Sequence, residues 1–442
     1  MRSPRWLLLA SKECRELSAS RAYWLLLLMI GPLVGHSFIT AVDLYAEASG
    51  IGGGAAALSQ GLTPLDGILV PTFGAYDLAV TLLFPFVAIR LIAAEKESGA
   101  LKLLLQFPSR LATSVAMKAL VLLLGWLVAW IPGLVAIALW KSYGGHLYAP
   151  ETLNLLFGHL LRVTLSASVA VAAASIAESA ASAAIATLGF TVGTWALDFI
   201  GAGRGGWTQE LAAYTPTAAL RMFEQGLLRL STLIVIAALG VGGFALAAVW
   251  LHAGRSWRYR LMATSLVIIT LAMAVVAGAS LRPNWDLSEN RRNSFSPADE
   301  AALKQIKEPL RVTVYLSAED PRLTDLERSI LSKLGRLLPR VEVDYAASSR
   351  TGLFEGSEEH YGEIWYEIGG RRVMSRSTTE PIVLEQLYEL AEVKQPERPG
   401  NPENMENDFP GYPLPARAKG APWIFYMILP VATILAFWLI RK

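Results

Sequence analysis

A single cysteine, Cys14, stands among the 442 residues, so neither an intramolecular disulfide nor a thiolate metal cluster can form within the chain. Charge is scarce too. Only 17% of the residues are Asp, Glu, Lys or Arg while 53% are hydrophobic, a balance that leaves too little polar surface for a water-soluble domain. The net charge of +2 gives no electrostatic reason for nucleic-acid binding. No Gly-x-x-x-x-Gly-Lys-Ser/Thr loop occurs, so the chain lacks the backbone cradle that ATPases use for phosphates. His36, His146, His159, His252 and His360 are the histidines, and none is paired at the His-Glu-x-x-His spacing of a zinc site. No Ser, His and Asp arrangement stands out. The chain reads as a non-enzyme without a metal or cofactor of its own.

What the sequence has is long apolar runs. Windows of about 20 residues give eight spanning candidates, near 22–42, 74–94, 112–139, 153–176, 181–200, 228–251, 261–281 and 422–440. The third is long and contains Pro132 and Gly133, which predicts either a kink or an outer end that leaves the membrane. Orientation follows from Lys and Arg. Arg2, Arg5, Lys12, Arg15 and Arg21, then Lys96, Lys102 and Arg110, then Arg255, Arg258 and Arg260, and finally Arg441 and Lys442 fall on one side, whereas 43–73 holds neither residue. The positive-inside rule puts both termini in the cytoplasm and the polar region 282–421 on the far side. Residues 1–21 are expected to form a membrane-surface helix, since Leu7, Ala10, Cys14 and Leu17 share one face and Lys12, Arg15 and Glu16 lie away from it.

Between the second and third runs lies Glu95 to Arg110, EKESGALKLLLQFPSR. An acidic pair, Glu95 and Glu97, precedes apolar Ala100, Leu101, Leu103, Leu104, Leu105 and Phe107, and Pro108 stops the helix because it has no N–H to donate. Such a segment, held at the membrane surface between two spans, is placed to be pushed by a soluble partner.

These features resemble the permease subunits of ABC-2 type transporters. The resemblance covers roughly 1–260 and rests on the surface helix, on Glu95, Glu97, Gly99, Leu101, Leu104, Pro108 and Ser109, and on Tyr214-Thr215-Pro216, Phe223-Glu224-Gln225-Gly226 and Arg255. The gliding-motility-type and copper-enzyme-maturation-type permeases are nearest in pattern. The resemblance implies a bacterial inner-membrane permease that works with two cytoplasmic ATPase subunits, which would bind the ATP and Mg, and that pairs with itself or a related permease amid membrane lipid. Its ATPase-coupling residues would be Glu95, Lys96, Glu97, Gly99, Leu101, Leu104 and Pro108. Glu95 and Glu97 would make charge contacts with the ATPase, Gly99 would permit close approach, and Leu101 and Leu104 would seat in its groove.

The polar region carries a second resemblance. Trp285-Asp286-Leu287-Ser288-Glu289-Asn290-Arg291-Arg292-Asn293-Ser294-Phe295-Ser296-Pro297, followed by Glu308 to Leu316 and Glu363 to Leu390, is similar to the extracytoplasmic domain of GldG-type gliding-motility auxiliary proteins. That similarity implies an extracytoplasmic auxiliary protein as a further partner. Read from its residues, the region is a small α/β domain. Ser296 caps a helix beginning at Pro297 with Asp299 as the capping acid, and Leu310–Leu316 alternates as a strand. Leu323, Leu326, Ile330, Leu334, Leu337 and Leu338 mark a helix, and Val341–Tyr345 is a second strand. Gly369-Gly370 turns a hairpin, and Pro381–Glu392 closes with a helix. The order resembles a thioredoxin-like sheet without Cys-x-x-Cys, which leaves binding or scaffolding as its work.

The expected organisation is thus 1–21 surface helix, 22–260 six-span permease core, 261–281 seventh span, 282–393 outer α/β domain, 394–421 Pro-rich linker and 422–442 last span with its tail. Its fold class is a mainly helical polytopic membrane protein with a small α/β domain. Among charges in or near the spans, Asp77, Arg90, His159, Arg162, Glu178 and Asp198, most are expected to snorkel to the interface or to form a local ion pair, for example Arg90 with Glu95. Asp77 and Arg162, just inside the outer ends of the second and fourth spans, are the candidates to line a pathway. The functional expectation is a permease coupling a partner's ATP hydrolysis to export or to conformational work on an outer partner. The alternative is a membrane scaffold that transmits force without moving solute.

Overall fold

The computed structural model describes residues 5–51, 63–100, 111–201, 211–252, 254–317, 320–346, 360–396 and 418–441. The protein is a mainly helical, multi-pass membrane protein. Among the described residues eight helices are long and apolar enough to cross a bilayer: Arg21–Glu47, Leu65–Glu97, Leu111–Ser142, Ala149–Ile176, Ala180–Gly201, Leu230–Trp250, Trp257–Ala279 and Ala421–Ile440. They correspond one for one to the apolar runs. A further helix, α1 (Arg5–Ala19), precedes the first span.

The second and third spans are longer than the sequence runs because each is broken and resumes. A straight helix of 33 residues would measure about 50 Å, well beyond a hydrocarbon core of about 30 Å. The second span breaks at Leu83, two residues before Pro85, and the third at Trp130, two residues before Pro132, since proline cannot donate to the ladder. At the third span's break the Tyr76 hydroxyl enters the ladder, donating to Ala129 O at 3.1 Å and accepting from Gly133 N at 2.8 Å. The two backbone groups that would otherwise bond each other are both satisfied by one side chain, as an apolar environment demands.

The chain folds into two compact units. One comprises Met1–Thr194, Ala219–Pro283 and Phe409–Lys442, the other Trp195–Ala218 and Asn284–Asp408. In the first unit the apolar core is built on the first four spans. Leu26, Ile30, Val34 and Phe38, at intervals of four, turn one face of the first span inward, and Tyr76, Phe84 and Trp126 meet edge to face. The fifth, seventh and eighth spans bury little of themselves. Thr215 caps α2 (Pro216–Glu224) by accepting from Ala218 N at 3.1 Å, with Pro216 at the first helical position.

The second unit contains the α/β region. Ser296 caps α3 (Pro297–Leu303) by accepting from Asp299 N. Strand β1 (Leu310–Val314) leads to a helical segment over 321–337, termed α4, then to β2 (Val341–Tyr345), β3 (Ile364–Ile368), β4 (Arg371–Ser375) and α5 (Glu380–Ala391). The sheet order is β2-β1-β3-β4, with β1 and β2 parallel and the other pairs antiparallel. Gly369 and Gly370 both have positive φ, which is what a two-residue hairpin following the strand twist requires. Leu310, Val312 and Val314 point from β1 into a core shared with Leu326, Leu334, Tyr366 and Leu387.

The capping acid has a second duty: Tyr388 on α5 donates to Asp299 Oδ1 at 2.7 Å in the interior. Tyr388→Phe strands a buried carboxylate oxygen, and we expect the full-length protein to lose about 1–3 kcal/mol. An unchanged melting curve of the second unit, followed by near-ultraviolet dichroism, would show that the bond contributes nothing net.

Candidate functional site

The segment Glu95–Pro108 is where the sequence places function, and the structure distributes its described residues very differently. Leu101, Leu104 and Pro108 lie outside the described residues. Glu95 is 3% exposed. Its Oε1 faces two ammonium groups, Lys12 from α1 and Lys118 from the third span at 2.8 Å. Lys118 reaches Glu13 of α1 at 2.7 Å, both side chains 1% exposed, and Lys12 lies 3.2 Å from Glu13 and from Glu16. Five charged side chains thereby tie α1, the end of the second span and the start of the third into one junction.

The expectation of an Arg90–Glu95 pair is corrected by this arrangement. Arg90 lies 3.5 Å from Glu97 instead, with both side chains more than half exposed. Helix geometry explains the swap: at the last turn of the second span Glu95 is on the face turned toward α1, and Glu97, two residues on, is rotated away from it. In the described conformation Glu97, not Glu95, presents a carboxylate to the surroundings. Lys96 takes a third direction. Its ammonium donates to the carbonyls of Ala174, Ser175 and Ala177 at 2.7, 2.8 and 3.0 Å, satisfying carbonyls that the end of the fourth span leaves without helical partners. Gly99 has φ +72, so it ends the helix in the left-handed conformation that glycine adopts freely. Nothing lies within 4 Å of the place where a Cβ would stand.

Electrostatics within the junction are tight. Three carboxylates, Glu13, Glu16 and Glu95, bring oxygens within 4.8 Å of one another, and the two lysines occupy that negative field. Burial by itself would lower the Lys12 pKa, but the hydrogen bond and charge of Glu95, with Glu13 and Glu16, hold it well above the usual lysine range. Burial raises Glu16, with Lys12 opposing and the charges of Glu95 and Glu13 assisting. Glu95 Oε2 has no hydrogen-bond partner among the described residues.

Sequence reasoning missed Lys118 and Glu13. The signal for Lys118 was present: it is the one charge inside the apolar run 112–139, and an ionisable group there calls for a named partner. Glu13 carried no such signal, because within α1 it looks like one more surface acid.

The second candidate pair does come together. About five turns back along the second span, Asp77 meets Arg162 of the fourth span in an ion pair. His159, one turn from Arg162 on the fourth span, is buried against Phe73 with ring centroids 5.5 Å apart. Glu224 at the end of α2 joins this field. Its neighbour Phe223 fills the space left by Gly158, and Asn154 donates to Phe223 O at 3.1 Å, which docks α2 on the fourth span. Burial first, then Asp77, pushes the Glu224 carboxyl up to about 7, with Arg162 and Arg221 opposing and Asp66 adding a little.

A raised carboxyl pKa makes the folded state hold its proton longer than the unfolded chain. The contribution is fully present below about 4.5, falls as pH rises toward 7, and is gone above it. Glu224→Gln is therefore expected to flatten the fall in melting temperature between those pH values and to be the more stable form at pH about 8, by on the order of 2 kcal/mol after solvent screening. Parallel pH profiles of variant and native protein would remove Glu224 as the group responsible.

Comparison with known proteins returned no match to a family model, a curated protein or a solved structure. The fold defines a class: a multi-pass membrane protein with a small sheet-containing region, whose spans are joined at one end by a buried ionic junction.

Proposed function

We propose that this chain is the membrane permease subunit of an ABC-2 type transporter. Separate cytoplasmic ATPase subunits would supply ATP hydrolysis, and this chain would convert their closure into export or into work on an extracytoplasmic partner. The observation that carries the reading is the junction of Lys12, Glu13, Glu95 and Lys118. It makes α1, the second span and the third span one mechanical body beside Ser98, where the segment toward Arg110 begins, so that a push there or on α1 moves the spans together. Lys96 extends that body to the fourth span. Rigid elements with two packed arrangements are what such coupling needs. Pairing of two permeases would cover a face of the fifth span, where Gly189 and Gly193 have nothing within 4 Å. The finer features of the reading are a GldG-type outer domain, an inner-membrane location, cytoplasmic termini and ATP with Mg in the partner. The cytoplasmic termini rest on the distribution of Lys and Arg, and the other features rest on the sequence resemblance.

The test is purification of the tagged protein in mild detergent, identification of bound subunits, and an ATPase assay on the complex. Glu97→Arg reverses the exposed charge, and Leu101→Asp places a charge in the apolar segment. Both are expected to lower stimulated ATPase activity by about tenfold, the scale of a coupling energy of 1–3 kcal/mol, while membrane insertion is unchanged. Exposed pairs such as Arg90–Glu97 contribute about 1 kcal/mol or less, so the Glu97 effect is separable from unfolding. Full activity in both variants, or no ATPase in the preparation, would discard the reading. An intact, ATPase-stimulated complex that moves no solute would shift it to the force-transmitting scaffold.

A further inference from the structure

The α1 end of the membrane unit holds an apolar cavity of about 510 Å³ walled by α1 and by the first, third and eighth spans, with Leu17, Ile30, Val121 and Leu429 among its lining. It runs along the third span from Val121 to Ile131, a rise of about 15 Å, which is half the thickness of a bilayer's hydrocarbon core and so the depth of one leaflet. A second, smaller groove of about 250 Å³ lies beside it, lined by Leu25, Leu28, Ile434 and Phe437 with Arg21 among its walls. Trp24 and Thr433 line both. The indole is fixed as a partition: Nε1 donates to Ser18 O at 2.6 Å, and the ring meets Phe437 edge on at 5.5 Å.

Neither groove suits water, which needs two or more polar partners. Both are walled in part by the eighth span, whose outward side chains Leu435, Trp438 and Leu439 are exposed, so the bilayer has access to them. Arg21 is exposed, and among the described residues no carboxylate pairs with it. A cation on the smaller groove, an apolar slot one leaflet deep beside it and a partition between the two complement a molecule having two hydrocarbon chains and an anionic head.

We propose that these grooves bind one anionic glycerophospholipid, its acyl chains on either side of Trp24 and its phosphate on Arg21. The proposal rests on the multi-pass character of the chain and not on the transporter reading. Lipid tails gain little by exchanging one apolar surface for another, so selectivity must come from the head. One arginine near the surface contributes about 1 kcal/mol, or about fivefold in affinity.

Cys14, the sole cysteine, is exposed and lines the larger groove, so one bimane label reports on it. The labelled full-length protein would be reconstituted in phosphatidylcholine vesicles and titrated with brominated phosphatidylglycerol or brominated phosphatidylcholine. Half-quenching is expected at about fivefold lower mole fraction of the glycerol lipid. Arg21→Gln should remove the difference, and Ala432→Phe, which fills the larger groove from the eighth span, should weaken quenching by both lipids. Equal curves for the two lipids in the native protein would mean contact with bulk lipid only and would overturn the proposal, as would an unaltered curve in Ala432→Phe. Should Ala432→Phe fail to insert, native mass spectrometry decides. The native chain from mild detergent supplemented with phosphatidylglycerol should carry one added lipid mass that is about fivefold less populated in Arg21→Gln at limiting lipid, and a bare native chain would overturn the assignment.

Discussion

Lys118→Met is expected to cost about 3–5 kcal/mol, the penalty for removing one partner of a buried ion pair. The Lys118 ammonium lies 2.7 Å from Glu13 and 2.8 Å from Glu95, and without it Lys12 alone would face three carboxylates. The penalty belongs to the stranded charges and not to the lysine as such. The double variant Glu13→Leu/Lys118→Met should therefore recover much of the loss, since apolar replacement of a whole buried pair is often close to neutral. Thermal unfolding of both variants and of the native protein checks this. A double variant no better than Lys118→Met would mean that the pair itself, through its geometry, holds α1 on the third span. The proposed coupling adds a second readout: α1 released from the junction should lower stimulated ATPase activity even where the spans remain folded.

The second large effect is expected at Gly35. A Cβ added there would overlap Phe425, which is fully buried at the start of the eighth span and tilted against Phe38 with centroids 6.0 Å apart. Backbone approach at this crossing depends on the missing side chain, as small residues permit elsewhere between membrane helices. Gly35→Leu must push the two spans apart, and the expected loss is about 3 kcal/mol or more, at the upper end of overpacking costs. Gly31, one turn away, has only ordinary contact distance to Leu429 at 3.6 Å, so Gly31→Ala serves as the control and should be nearly neutral. Limited proteolysis of the region before residue 421 would report the eighth span's release. Equal protection in Gly35→Leu and Gly31→Ala would refute the argument.

Much of the architecture was legible because bilayer thickness fixes the length of an apolar run. All eight runs became spans, and Pro132 marked the break in the third. The α/β elements were legible for a different reason: alternation in β1, capping at Ser296 and the Gly369-Gly370 turn are each local signals. The candidate site was only half legible. Asp77 and Arg162 could be picked out as charges in apolar runs, and they pair. Glu95 was picked out by its place in a segment, and its direction was misjudged, because two residues along a helix amount to a large rotation that a linear pattern does not express.

By itself the sequence determined that this chain carries eight runs long and apolar enough to cross a membrane, about where each lies, and that a small α/β region stands between the seventh and eighth. Those outcomes depend on hydropathy and on local backbone preference, which neighbouring residues carry. Tertiary structure alone decided that Glu13, Glu95 and Lys118 meet. It also decided that Tyr76 completes the broken third span and that Trp24 divides two apolar grooves. Each of these joins residues far apart in the chain, and their charges and hydroxyls acquire meaning only from the partner that packing brings within about 3 Å.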